Sequence, residues 1–89
     1  MKAIITVVGP DRVGIIAEVC TLLAELNVNI IDISQTVMQE FFTMTMLTDI
    51  SASNDTFDAI SAALDKKGEE MGLSIRIQRE DIFDAMHKI

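Results

Sequence analysis

The sequence predicts an α+β domain whose elements follow one another as βαββαβ, with a short helix at the C-terminus. Three observations support this prediction: apolar and polar residues alternate in several short segments, two longer segments have helical periodicity, and glycine or polar residues separate them. The length of 89 residues fits one domain. A hydrophobic content of 49% is sufficient for a packed core and too high for a disordered chain.

The first strand and the first helix flank a glycine-bounded loop. Residues 2–8 are mostly apolar and β-branched, which predicts a central strand buried on both faces and ended by Gly9 and Pro10. A helical pattern begins at Asp11, a candidate N-cap residue, and ends near Asn27, which tolerates the left-handed conformation of a helix end. Its apolar residues form two adjacent stripes, so we expect a wide buried face. The stripes comprise Ile15, Ile16, Val19, Cys20, Leu22, Leu23 and Leu26.

The next two strands are predicted to form a hairpin. The second strand covers residues 28–39. Ile31, Ile33 and Val37 lie on one of its faces, because side chains alternate along a strand. The Gln39-Glu40 junction is too short for a parallel crossover, so the strands on either side of it are antiparallel.

The second half of the chain repeats the order of strand and helix. A third strand around residues 42–46 precedes a helical pattern over 57–71, which Gly72 is well placed to end. Residues 73–78 then alternate as a last strand. A final helix over residues 81–89 is too short to be stable alone, so we expect it to pack on the domain.

This order is that of the ferredoxin-like fold, which joins two βαβ-type units. We expect an antiparallel four-stranded sheet with both main helices on one face. The domain is predicted to cover residues 1–80, and the short helix over 81–89 completes the chain.

The composition argues against several classes of function. Lys and Arg number 7 and Asp and Glu 14, and the net charge of −7 opposes direct binding to nucleic acid and to anionic membranes. One cysteine, Cys20, and one histidine, His87, cannot build a disulfide, a structural zinc site or a catalytic constellation. No apolar run approaches the roughly 20 residues of a membrane span. We therefore expect a cytoplasmic protein that is not an enzyme and has no catalytic residue, metal or cofactor.

The loop over residues 9–14, Gly-Pro-Asp-Arg-Val-Gly, is the main candidate site. It is not a P-loop, because Ile15 and Ile16 follow Gly14 where Lys and Ser or Thr are required. It is not a dinucleotide fingerprint, because Asp11 occupies the second glycine position. Two interpretations stay open. Either backbone N–H groups at the helix start bind a small carboxylate or phosphate, or the loop is only a turn and a helix cap.

Two families with the same order of elements fit poorly. Acylphosphatases also carry an Arg in the first loop, as Arg12 does here, but their longer Gly-Arg-Val-Gln-Gly run is absent. RNA-recognition motifs carry aromatic residues on the third strand, where Phe41 and Phe42 fall, but the basic residue and glycine of that motif are missing and the charge is wrong.

A third family matches better. The segment 9–16, Gly-Pro-Asp-Arg-Val-Gly-Ile-Ile, resembles the Gly-x-Asp-Arg-Pro-Gly-Leu/Ile-Leu signature of ACT domains, which are small amino-acid-binding regulatory modules. Residues 27–30 and 42–46 are also similar, and the resemblance covers residues 1–80. The tail 81–89 resembles the ending of stand-alone bacterial ACT proteins, which are similar to the ACT modules of the glycine cleavage system transcriptional repressor.

The resemblance implies a non-enzymatic regulatory module that binds a free amino acid at the loop after the first strand, near the interface of a homodimer. Val13 replaces the Pro of the signature, and Asp11 stands where serine-binding members have Asn. The partners implied are a second copy, the amino acid, and another regulatory protein or enzyme. The alternative is a ligand-free interaction or dimerisation module in metabolic or transcriptional regulation. The ligand-binding residues implied are Asp11, Arg12, Val13, Gly14, Ile15 and Asn29.

Overall fold

The computed structural model describes residues 1–10 and 13–80 and confirms the βαββαβ order. The predicted helix over 81–89 and the residues Asp11 and Arg12 lie outside the described residues. Within them, no helix is long and apolar enough to cross a membrane. The elements are β1 (Lys2–Pro10), α1 (Ile15–Glu25), β2 (Asn29–Met38), β3 (Phe41–Asp49), α2 (Phe57–Met71) and β4 (Ser74–Arg79).

The four strands form one sheet in the order β2-β3-β1-β4, and every neighbouring pair is antiparallel. β1 is central, as predicted, while β2 and β4 are the edges. Both helices contribute to one apolar core together with alternate residues of the strands. This is the ferredoxin-like fold, with both helices on one face of the sheet.

The core lies between that face and the helices. From β1 it includes Ala3, Ile5 and Val7, which pair with Thr48, Met46 and Met44 of β3. Thr48 is the buried polar residue among those described, and its Oγ1 donates a hydrogen bond to the carbonyl of Ala3. The remaining core residues are Ile15, Val19, Leu23, Val28, Phe42, Ile50, Ile60, Leu64, Leu73, Ile75 and Ile77.

β1 is not buried on both faces. Ala3, Ile5 and Val7 face the helices, but on the opposite side Thr6 is only half-buried and Val8 is 39% exposed. Because neither helix lies on that side, the prediction that both faces are buried is wrong for the second half of the strand.

α1 begins later than its sequence pattern predicts. Its N-cap residue is Gly14, with a φ of 92°, so Asp11 is not the cap. The buried stripe is also narrower than predicted. It consists of Ile15, Val19 and Leu23, while Ile16 is 38% exposed and Cys20 is only half-buried.

β2 lies at the edge of the sheet, and its residues from Ile31 onwards are exposed. Ile33 and Val37 pair with Met46 and Phe42, so they share the helix-side face, as predicted. A register shift between Ile30 and Asp32 makes Ile31 an additional residue at this point, which interrupts the simple alternation.

Candidate functional site

The loop after β1 lies at the end of the sheet where Pro10 pairs with Phe41. Val13 is 96% exposed, whereas Ile15 is 2% exposed and fixes the start of α1 in the core. Gly14 has a positive φ, which favours glycine, and a Cβ built on it would have no heavy atom of the described residues within 4 Å.

The start of α1 offers backbone donors. The N-cap residue, Gly14, has no side chain with which to cap the helix, and the first helical bond runs from the N–H of Glu18 to the carbonyl of Gly14, at 3.0 Å. The N–H groups of the first helical turn, which starts at Ile15, therefore have no carbonyl partner within the helix. Such groups attract anions, and the exposed carboxylate of Glu18 in the same turn already satisfies part of this attraction.

Asn29, the other predicted ligand-binding residue, lies at the opposite end of the sheet. It is exposed at the start of β2 and pairs with Asp49, which pairs on its other side with Lys2. Eight residue steps separate Asp49 from Phe41 along β3, or about 27 Å of strand. The structure therefore brings Val13, Gly14 and Ile15 together but does not bring Asn29 to them within one chain.

The exposed edge strand β2 connects these two ends. Every residue from Ile31 to Met38 is exposed, and the apolar side chains of Ile33 and Val37 are exposed by 41% and 54% although they face the helix side. Asp32 is the single charged residue in the strand. An unpaired, nearly uncharged edge of this length is a ready template for another strand.

The rest of the described chain contains no metal-ligating cluster, and its grooves are shallow. Among residues 1–10 and 13–80, no group of three or more His, Cys, Asp or Glu side chains could hold a metal ion. Shallow grooves border α2, one beside Leu22 and Lys67 and another beside Leu73 and Ser74, and neither includes a residue of the loop after β1.

Among residues 1–10 and 13–80, the carboxyl group with a shifted pKa is that of Asp49. The side chain of Ser51, then its backbone N–H, and more weakly the amino group of Met1, lower the pKa of Asp49 from its ordinary value. The N–H of Ser51 lies 2.9 Å from Oδ1 of Asp49, and the Met1 nitrogen lies 3.5 Å from the same oxygen. This arrangement fastens the N-terminus to the end of β3, which is a structural role.

The fold defines a class of small α+β modules with two helices on one face of an antiparallel sheet, and comparison with known proteins identifies the family. A sequence model of the ACT domain matches residues 2–78. The chain belongs to the ACT domain family.

Two relatives cover nearly the whole chain. A UPF0237 protein of Clostridium acetobutylicum is 58% identical over 89 residues, which is 100% of both chains. The solved structure of an ACT domain protein from Streptococcus pneumoniae is 44% identical, with a TM-score of 0.83 over 94% of each chain. A structure assigned as a glycine cleavage system transcriptional repressor is 32% identical, with a TM-score of 0.76, and covers 86% of this chain and 44% of that one.

Proposed function

We propose that this protein is a non-enzymatic regulatory module that binds a free amino acid between two copies of the chain. ACT domains are, in general, regulatory modules that bind small ligands, which sets the broad class. The observation that supports the finer proposal is the position of the start of α1, which follows Gly14, at one end of the sheet, while Asn29 lies at the other end, at the start of the edge strand β2.

A dimer through β2 would complete the site. When two such strands pair antiparallel about a two-fold axis, the start of one lies beside the end of the other. Asn29 of the partner subunit would then lie beside Met38, one strand spacing of about 4.8 Å beyond the edge. Met38 pairs with Phe41, which pairs with Pro10, so this is the end of the sheet that carries the loop.

The chemistry suits a zwitterion. The ligand carboxylate would accept hydrogen bonds from the N–H groups around Val13, Gly14 and Ile15. Its ammonium group would be held by the Asp11 carboxylate or by the side-chain oxygen of Asn29 from the partner subunit. Arg12, in the same loop of the sequence, would contribute a positive charge to the binding of the carboxylate. Binding would stabilise the pair of subunits and so change the surface offered to another regulatory protein or enzyme.

The test has two steps. A thermal-melt screen of the twenty amino acids identifies the ligand, since a molecule that binds only the folded protein raises the melting temperature. Titration calorimetry then compares the wild type with Asp11→Ala, which should weaken binding by about 1.5–3 kcal/mol, the scale of a lost charge-assisted hydrogen bond. Asp65→Ala, an exposed carboxylate in the middle of α2, is the control and should bind as the wild type does.

A second variant tests whether the site is shared. Asn29→Ala should weaken binding of the same ligand, although within one chain Asn29 lies at the end of the sheet opposite the loop. Equal affinity for the wild type, Asp11→Ala and Asn29→Ala would show that the ligand binds elsewhere.

The alternative function is dimerisation without a ligand, and the exposed apolar side chains of Ile33 and Val37 favour it on their own. If none of the twenty amino acids changes the melting temperature and the protein is nevertheless a dimer by light scattering, this second function is the correct one.

A further inference from the structure

The residues of the edge strand β2 orient their backbone groups in two ways, towards β3 or away from the sheet. The orientation follows from the neighbouring ladder between β1 and β3. The N–H of Ile50 donates to the carbonyl of Met1 at 2.9 Å, so these two residues form a hydrogen-bonded pair. Hydrogen-bonded pairs alternate along an antiparallel ladder. Ile5 and Met46 are therefore also hydrogen-bonded to each other, and the N–H and C=O of Met46 point towards β1.

One set of β2 residues consequently has backbone groups that face away from the sheet. Ile33 pairs with Met46 on the other side of β3, so the N–H and C=O of Ile33 point outwards. Three more residues have this orientation, because they too pair with even-numbered residues of β3: Ile30, Gln35 and Val37. We call the N–H and C=O groups of these four residues the edge groups. A strand that pairs with β2 from outside would bond to them.

One of the edge groups is occupied within the chain. The N–H of Ile33 donates to Oδ1 of Asp32, the preceding residue, at 2.9 Å. Asp32 is exposed and is the single charged residue of β2. A hydrogen bond to a carboxylate is stronger than one to a neutral carbonyl. A partner carbonyl that approached this N–H would also meet the negative charge of the carboxylate, so a partner strand has to displace Asp32.

We propose that Asp32 regulates the pairing of two copies through β2, because its carboxylate holds the N–H of Ile33 in the single chain and releases it when the partner strand binds. This inference rests on the dimer of the proposed function. A symmetric dimer gives up two such contacts, one from each copy. Asp32 therefore keeps the dimer weak enough for a ligand that joins the two copies to shift the balance between single chains and pairs.

The register of the dimer follows from the bulge in β2. The proposed pairing sets Asn29 beside Met38 of the partner subunit at both ends of the paired strands. Ile31 is the additional residue at the register shift and has no partner in β3, so it does not count towards the register. Counting inwards from both ends then sets Ser34 opposite Ser34 of the partner subunit, on the two-fold axis.

In this register the edge groups of one copy meet those of the other. Ile33 lies opposite Gln35 of the partner subunit, and Val37 lies opposite Ile30 of the partner subunit. All four side chains point to the helix side, because their partners in β3 are buried there. The edge is therefore complementary to itself, both in its hydrogen bonds and in the apolar contact of Val37 with Ile30, and a second copy of this chain is the partner that fits it.

Asp32 does not act by direct repulsion between the two copies. In the same register it lies opposite Thr36 of the partner subunit, so the two carboxylates do not face each other. The contact between Asp32 and the N–H of Ile33 is what opposes pairing. Removing the carboxylate should therefore strengthen the dimer by more than the change of net charge alone would.

Sedimentation equilibrium of the full chain tests this expectation. Asp32→Ala removes the acceptor, so the dissociation constant of the dimer should fall at least about tenfold, because two hydrogen bonds no longer have to be broken. Asp32→Asn, which keeps a neutral acceptor, should give a smaller fall in the same direction. The matched control is Asp65→Ala, which makes the same change of net charge at an exposed position of α2. It should change the dissociation constant by less than about threefold.

A second measurement follows the amide hydrogen itself in dilute single chains. After correction for the intrinsic exchange rates of the two sequences, the N–H of Ile33 should exchange with deuterium at least about fivefold faster in Asp32→Ala than in the wild type. The N–H of Gln35, which also faces outwards, is the internal control and should exchange equally fast in both proteins.

The outcomes separate this inference from the dimer on which it rests. An unchanged or larger dissociation constant for Asp32→Ala, an equal fall for Asp65→Ala, or equal corrected exchange of Ile33 would overturn the role of Asp32 and leave the dimer standing. If the wild type and Asp32→Ala are both single chains at hundreds of micromolar, the dimer fails and this inference fails with it.

Discussion

The close approach of α2 to β4 gives a sharp test of the packing. Gly68 is buried in the fourth turn of α2, and a Cβ built there would lie 2.7 Å from the carbonyl oxygen of Leu73. Ordinary contacts start near 3.4 Å, so Gly68→Ala requires a displacement of about 0.7 Å. The backbone of Leu73 cannot move freely, because its N–H donates to the carbonyl of Gly68 at 2.8 Å and β4 starts at the next residue.

Two effects of opposite sign determine how much Gly68→Ala changes the free energy of unfolding. Replacing glycine by alanine inside a helix stabilises it by about 1 kcal/mol through backbone entropy. Overpacking against backbone that cannot give way costs about 2–3 kcal/mol. The net effect of Gly68→Ala is therefore a loss of about 1–2 kcal/mol in the free energy of unfolding, or roughly 5–15 °C in melting temperature for a domain of this size. The control Glu69→Ala, at the neighbouring exposed position, should change stability by less than about 0.5 kcal/mol.

A second glycine, Gly9, distinguishes a clash with the backbone of Leu73 from a clash with its side chain. A Cβ on Gly9 would lie 2.3 Å from Cδ2 of Leu73, the far end of a side chain. Leu73→Ala should therefore abolish the cost of Gly9→Ala while leaving the cost of Gly68→Ala intact, as measured by chemical denaturation of both double variants. If Gly68→Ala is stabilising, or if Leu73→Ala removes both costs, the close approach of the two backbones is not what limits this position.

Three further predictions follow from exposed or half-buried residues. Val37→Lys on the free edge of β2 should leave a monomer at tens of micromolar by light scattering, and a dimer unchanged by it would place the interface elsewhere. Cys20 should react with a small thiol reagent more slowly than a denatured chain but to completion without unfolding, and complete protection would mean that α1 is rotated from the orientation described. Because the pKa of Asp49 is lowered in the folded state, its stabilisation is present above its ordinary pKa of 3.8 and is lost as the pH falls through the lowered value. The melting temperatures of the wild type and Asp49→Asn should therefore converge in acid, and a constant difference down to low pH would contradict this.

The sequence predicted the fold because each of the six described strands and helices has its own periodic pattern of apolar residues. Alternation in β3, with Phe42, Met44 and Met46 buried, and the left-handed ends at Asn27 and Gly72 agree with their structural roles. These features depend on nearest neighbours in the chain, so pattern alone is sufficient to recover them.

What the sequence missed depends on geometry between elements. Asp11 is a good cap residue by type, but the positive φ of Gly14 starts the helix at Ile15, and no preference of single residues reveals that angle. The helical pattern also could not show that Ile15 is buried and Ile16 exposed, since both fit a wide apolar face. The orientation of the helix on the sheet decides which of the two is buried. The separation of Asn29 from Gly14 follows from the topology: β1 and β2 both pair antiparallel with β3, so they run in the same direction and the end of β1 lies opposite the start of β2.

The two edges of the sheet differ in a way that favours assembly through β2 over β4. β4 is six residues long and carries Arg76 and Arg79, while β2 is ten residues long and carries only Asp32. Short, charged edges resist pairing with another chain, and long, weakly charged ones promote it. Helix α2 packs closely against β4, whereas both faces of β2 from residue 31 onwards remain exposed. An isolated chain would leave Ile33 and Val37 exposed to water on its helix side. Pairing through β2 would bury these side chains by the same contact that brings Asn29 of the partner subunit to the end of the sheet that carries the loop, so we propose that assembly and ligand binding are coupled through one strand.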